Sequence, residues 1–346
     1  MERISLETQT LYNELMEQLS AQEAHRSIGH LPGTFVTKKV KGGIYYYFQY
    51  STPGGVLKQI YLGKEDAVLQ RVLEKFEKER PLFLAEQKNI QRLCAQLRVG
   101  GALVTDASSG RVLKALADAG VFQGGGVLVG THAFSVLGNL LGYRWEGAGL
   151  KTQDVDLASP AVLDVAVPEN SADIPKALES LEMGFLPVTG FHPSDPSTSF
   201  KVRGQALRVD LLTPEQSPHR KKSVLIPRWN AWAQPLRYLD YLLEDTVRGA
   251  VIDGGGILVY VPTPARFALH KLIVSQERSV AFHGKGEKDL RQAAQILEVL
   301  AAERPGDLTM AWKNLKGRGV DWVKKAKAGL SALRRWSQRD YVSLFE

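Results

Sequence analysis

Cysteine is almost missing from this 346-residue chain, where Cys94 stands alone. That excludes an internal disulfide and a metal cluster held by thiolates. Long apolar runs are missing too, and none approaches the roughly 18 residues of a membrane span. The opening Met1-Glu2-Arg3-Ile4-Ser5 has no signal-peptide character. A cytoplasmic protein with no membrane partner is the expectation. Acidic residues are absent from 33–63, although that stretch holds Lys38, Lys39, Lys41 and Lys58. His270 has no partner at zinc-ligand spacing and reads as a structural or supporting residue. Gly124-Gly125-Gly126 and Gly254-Gly255-Gly256 lack the spacing and the following helix of a dinucleotide-binding fingerprint. Each triplet reads as a turn before a buried strand.

What is present describes a globular protein: 44% hydrophobic and 23% charged residues. The length fits two or three domains and a sizeable core. The net charge of +7 favours a polyanionic partner without naming it.

At the N-terminus, Ile4, Leu6, Leu11, Leu15 and Leu19 mark a helix within 3–27. Strands are expected over Phe35–Val40, Ile44–Tyr50 and Val56–Leu62, joined by the turn Thr52-Pro53-Gly54-Gly55. A helix from Glu65 to Arg80 follows, then two more over 84–98 and 107–119. Two readings of the basic meander stand side by side. It is either a nucleic-acid platform of tyrosines and lysines, or a small sheet whose lysines protect its edges.

The most informative stretch is 127–156. Val127-Leu128-Val129 reads as a buried strand, Gly130-Thr131 as a turn, and Ala133–Leu141 as an apolar helix. Free backbone N–H groups and the helix dipole suit such a turn to a phosphate. The chain returns as Thr152-Gln153-Asp154-Val155-Asp156-Leu157. On a strand, Asp154 and Asp156 share one face, about 6–7 Å apart at roughly 3.3 Å per residue. Two carboxylates so placed repel each other, and a divalent cation between them would explain the arrangement. Ordinary strand-end or turn carboxylates are the alternative. Farther on, 160–182 reads as largely helical. Phe185–Thr189, Phe200–Arg203 and Leu207–Leu212 read as strands, the last carrying Asp210. His192–Pro196 forms a loop between them. Trp229 and Trp232 read as packing residues beside a helix near Leu236–Leu243.

The strand, Gly130-Thr131, the helix and Asp154-Val155-Asp156 together resemble the nucleotidyltransferase superfamily that includes DNA polymerase β. Thr131 stands where that pattern usually has Ser. The longer string from Gly130-Thr131-His132-Ala133-Phe134 to Leu157 is similar to the bacterial toxin-like, AbiEii-type branch. The resemblance implies an α/β fold: a nucleotidyltransferase-type mixed-sheet core with a small N-terminal β-meander and a helical C-terminal domain. It implies an NTP substrate, Mg²⁺ (or Mn²⁺) as cofactor, and Asp154, Asp156 and a third Asp as metal-holding catalytic residues. Asp210 is the best candidate for the third, ahead of Asp164, Asp173 and Asp195. Gly130 and Thr131 would hold phosphates.

Pro264 suits a helix start, and Phe267, His270, Lys271 and Val274 follow at i, i+3, i+4 and i+7. The branch carries a similar Lys-Leu on a helix after its core, then a Lys-Asp, here Lys288-Asp289. Lys271 and Lys288 would therefore reach the triphosphate. A lysine snorkelling from a packed helix is the alternative for Lys271. Residues 312–339 hold nine Lys or Arg against Asp321, plus Trp312, Trp322 and Trp336. Such a run is either a solvated helical face or an RNA-binding surface.

The expected division is 1–98, 99–262 and 263–346. The expected activity moves an NMP from an NTP to an acceptor hydroxyl. An RNA 3′ end such as that of tRNA is favoured, with a protein or small molecule as other acceptors. A toxin-like role would bring a cognate antitoxin protein as partner. The rival class is a nucleic-acid-binding regulator on a catalytically inactive transferase core.

Overall fold

The computed structural model describes all residues except 53, 148–152, 161–171, 189–194, 217–221, 279–282, 336–340, 342–344 and 346. Expectations for Thr152, Asp164, His192, Trp336 and Arg339 lie outside the described residues.

A two-residue strand β1 (Glu2–Arg3) precedes helix α1 (Leu6–Ala24). The meander β2 (Gly33–Val40), β3 (Gly43–Ser51) and β4 (Leu57–Lys64) follows, all antiparallel with β3 central. Next comes α2 (Ala67–Val99), one 33-residue helix where two were expected. Asp66 caps its start by accepting from the N–H groups of Val68 and Leu69. Pro81 lies inside it and removes one helical hydrogen bond. Tertiary contacts on both sides keep the axis continuous. Phe76 packs on Phe35 of the meander, with ring centroids 4.9 Å apart. Arg80 donates to the carbonyls of Gly29 and Leu31. Ile90, Leu93, Cys94 and Leu97 join Tyr12, Leu15 and Leu19 of α1 in a small core.

The main body runs α3 (Ala107–Asp118), β5 (Val127–Val129), α4 (Gly130–Leu141), β6 (Tyr143–Arg144), β7 (Asp154–Ala158), α5 (Ile174–Glu179), β8 (Phe185–Pro187), β9 (Ser199–Val202) and β10 (Arg208–Pro214). It continues through β11 (Val224–Ile226), β12 (Ala231–Leu236), α6 (Leu239–Leu243), β13 (Thr246–Val251) and β14 (Ile257–Pro262). The order β11-β12-β10-β7-β5 forms one mixed sheet, with β8 and β9 attached through β10. β10 is parallel to β7 and β12, whereas β5 is antiparallel to β7. Alternation decides the faces. Val155, Leu157, Val209 and Leu211 are fully buried on one side, which leaves Asp154, Asp156 and Asp210 on the other. Of the helical reading of 160–182, residues 161–171 lie outside the described residues, and the described part contains α5. The helix expected near Leu236–Leu243 is the short α6, because Leu236 still belongs to β12.

Four helices close the fold: α7 (Pro264–Glu277), α8 (His283–Glu303), α9 (Pro305–Lys316) and α10 (Val320–Ala332). Their apolar faces share the main core with the sheet. Trp229 and Trp312 are buried in that core. Trp322 meets Tyr238 edge to face at 4.6 Å. Trp232 differs from the packing role expected of it, since it stands 38% exposed. Several C-terminal cations hold the fold together: Arg318 pairs with Asp240 and Glu244, and Lys325 with Glu277. Among the described residues, no helix is long and apolar enough to cross a membrane.

Candidate active site

The parallel register of β7 and β10 sets Asp156 opposite Asp210, and Asp154 opposite Arg208. On its other edge, Asp156 pairs with Val129, the residue before the Gly130 turn. Asp156 therefore sits between a second carboxylate and the start of α4. Burial pushes its carboxyl up, and the charges of Asp210 and Asp154 add to this. Lys271 and Lys285 pull the other way, and the result is a pKa of about 7.

Gly130 makes this packing possible. Its φ is +68°, a region that disfavours any side chain. A Cβ there would also meet the Asp156 carboxylate far inside van der Waals contact. Helix α4 starts at this glycine with no side-chain cap, so its first N–H groups face the cleft without a capping partner.

The opposite wall is cationic. Lys271 of α7 donates to Asp289 of α8 at 2.6 Å, and Arg278 bonds the other Asp289 oxygen at 3.1 Å. Burial alone would raise the Asp289 carboxyl, but Lys271 and then Arg278 hold it below the ordinary carboxylate range. Lys288 is lowered by burial and by the neighbouring charge of Lys271. His270 is pushed down to about 3, chiefly by burial, so it is neutral. These groups enclose a cleft of about 470 Å³ with an apolar floor that includes Leu242 and Phe267. All of Gly130, Thr131, Asp154, Asp156, Asp210, Lys271 and Lys288 line it. Asp195 and Asp173 do not; Asp173 caps α5 instead.

Charged lining residues that escaped the sequence reading include Arg237, Glu277, Arg278 and Lys285. Another omission is Arg208, whose Nε lies 2.7 Å from Asp210 Oδ1, while Ser199 donates to the same oxygen. Residues 208 and 210 alternate on one strand, so their shared face was readable. Asp289 was visible as half of Lys288-Asp289, but its pairing with α7 was not.

The oxygen donors suit a hard divalent cation in kind. Asp156, held neutral to about pH 7 chiefly by burial, is what such a cation would ionise. Even so, no group of three or more His, Cys, Asp or Glu among the described residues is placed to hold a metal ion. The third carboxylate, Asp210, is turned to Arg208 and Ser199.

The profile of a nucleotidyltransferase family matches residues 107–316, from the start of α3 to the end of α9. The chain belongs to this nucleotidyltransferase family. The match does not extend to the toxin-like branch expected from the sequence. Among curated proteins nothing matches. The crystal structure of an antigenic nucleotidyltransferase-like protein from Paracoccidioides brasiliensis is distantly similar, with 18% identity and a TM-score of 0.31. That likeness covers 63% of this chain and 92% of the other.

Proposed function

We propose that this cleft moves a nucleoside monophosphate from an NTP to an acceptor hydroxyl, with an RNA 3′ end as the favoured acceptor. One observation carries the reading: three carboxylates from two paired strands face a wall of lysines and arginines across a single cleft. Asp154 and Asp156, with Asp210 once it leaves Arg208, would hold Mg²⁺ or Mn²⁺, which supplies Lewis-acid charge stabilisation when bound. The free N–H groups of Gly130 and Thr131 bind phosphate oxygens at the start of α4. Lys271, fixed by Asp289, reaches the triphosphate together with Lys288 and neutralises its charge. Asp210, once released from Arg208, would serve as a ligand or as the base that accepts the proton of the acceptor hydroxyl. The new bond joins that oxygen to the α-phosphorus, the bond from the α-phosphorus to the β-bridging oxygen breaks, and pyrophosphate leaves.

A second reading has its own support. The Arg208–Asp210 pair occupies the third carboxylate, as in a nucleic-acid-binding regulator built on an inactive core. One experiment separates the two. The full chain is incubated with each α-³²P-NTP, Mg²⁺ or Mn²⁺, and total RNA. Label in an RNA band, lost on adding EDTA and in Asp156→Asn, supports transfer. Absence of label together with absence of metal-dependent NTP binding supports the regulator.

A further inference from the structure

We infer that the outer face of the N-terminal meander is a docking surface for single-stranded RNA, separate from the transfer cleft. The sheet already has its core on the other side, where Phe35 and Phe48 pack on Phe76 of α2. Alternation puts Tyr45, Tyr47 and Gln49 of β3 on the outer face. The register adds Lys38 of β2, and Gln59, Tyr61 and Lys64 of β4. Tyr61 lies 5.3 Å from Tyr47 and 6.3 Å from Tyr45, ring centroid to centroid. It is 55% exposed. Two cations lie over these rings: Lys38 at 4.4 Å from Tyr47 and Lys64 at 5.6 Å from Tyr45. A polar row adjoins them, in which Lys38 donates to Gln59 and Gln59 to Gln49.

Charge complementarity selects the occupant. No acidic residue occurs in 33–63. The first one after it in sequence, Glu65, accepts from Tyr46, which alternation places on the opposite face. One exposed and two half-buried aromatic rings beside unopposed lysines suit a chain that carries a flat base and a phosphate in every unit. The bases must be unstacked to lie on the rings, which requires a single strand. The amides of Gln49 and Gln59 supply partners for a 2′-hydroxyl, the group that distinguishes RNA from DNA. Edge protection explains lysines on β2 and β4, but not a tyrosine cluster reaching the central strand on the solvent side.

The test uses the full chain with neither NTP nor metal, so failure of the transfer reading would leave it untouched. Binding of a fluorescent single-stranded 12-nucleotide RNA is measured by anisotropy across a salt series. Tyr47→Ala/Tyr61→Ala should weaken binding at least tenfold with the salt slope unchanged, since stacking is not a counterion effect. Lys38→Gln/Lys64→Gln should flatten the log–log salt slope by about 1.4, at roughly 0.7 per phosphate contact. Tyr61→Ser alone sits at an exposed edge-strand position and guards against a folding artefact; it should still weaken binding several-fold. The DNA of the same sequence should bind several-fold more weakly, and the RNA duplex more weakly still. Wild-type affinity in correctly melting tyrosine variants overturns the proposal. So does equal affinity for RNA and DNA, or for single strand and duplex.

Discussion

Two carboxylates face each other across the cleft, and their surroundings are opposite. Asp289 is the more enclosed, 5% exposed, yet it is held ionised because Lys271 and Arg278 answer its charge. Asp156 is flanked by two further acids, and burial leaves it at about 7. The contrast teaches that burial alone does not assign a role. Asp289 is a strut whose charge is complete within the fold. Asp156 keeps its proton to about pH 7 because burial and two neighbouring acids outweigh the pull of Lys271 and Lys285.

Breaking the comparison at Asp156 should have the largest effect on chemistry. If the transfer reading holds, Asp156→Asn lowers the rate of NMP transfer on the order of 10³-fold or more, with the circular dichroism spectrum unchanged. A residual rate above about a tenth of wild type would remove Asp156 from the catalytic set. The corresponding cut on the other wall should act on stability. Asp289→Ala leaves Lys271 without its counter-ion, and breaking a buried pair from one side costs about 3 kcal/mol or more. Urea melts would show it; a midpoint equal to wild type would deny Asp289 its role as a strut.

The third prediction sharpens the contrast through pH. Unfolded, Asp156 ionises near 3.8; folded, near 7. Between those values the folded protein keeps a proton that the unfolded chain has lost, so stability falls as pH rises through the window. Asp156→Asn in EDTA should therefore be more stable than wild type at pH 8, by a few kcal/mol at most, with the gain gone by pH 4. Asp289 has the opposite sign: its contribution is present above about 4 and lost as pH falls through its lowered value. A pH-independent difference for Asp156→Asn would contradict the raised value that burial and the neighbouring acids give Asp156. The smallest effect belongs to Arg208→Ala. Freeing Asp210 from its guanidinium should tighten Mn²⁺ binding, measured by calorimetry without nucleotide, by roughly two- to fivefold, within the range of one partly exposed ion pair. Weaker binding would mean that Arg208 positions Asp210 for the cation instead of competing with it.

Much of the site was legible because it rests on short-range rules. Alternation along β7 and β10 sorts Asp154, Asp156 and Asp210 from the buried Val and Leu beside them, and a glycine before an apolar helix marks the turn. The match to a nucleotidyltransferase family agrees with the family resemblance, and the mixed sheet agrees with the expected fold. What escaped depends on contacts distant in sequence. The sequence reads as helices over 65–80 and 84–98, but α2 runs through Pro81, with Phe76 and Arg80 packed before it and Ile90, Leu93 and Leu97 after it. β12 hid because its pattern is inverted: small Ala231 and Ala233 face inward while Trp232 faces out. The cationic run at 312–339 gave no sign of which side chains were committed. Arg318 and Lys325 turn out to bridge helices, whereas Lys38 and Lys64 lie over tyrosines.

The missing side chain at Gly130 has an evolutionary consequence. A methyl group there is disfavoured twice, by the positive φ and by the carboxylate it would strike. Only the first penalty, about 1 kcal/mol, belongs to position 130 itself; the second depends on the size of residue 156, since the added methyl would meet the Asp156 carboxylate and stand 3.3 Å from its Cβ. The two positions are epistatic and cannot drift independently. Asn at 156 would keep the clash, whereas Ala would remove the carboxylate part of it. A relative with a side chain at 130 should therefore carry a residue smaller than Asp at 156.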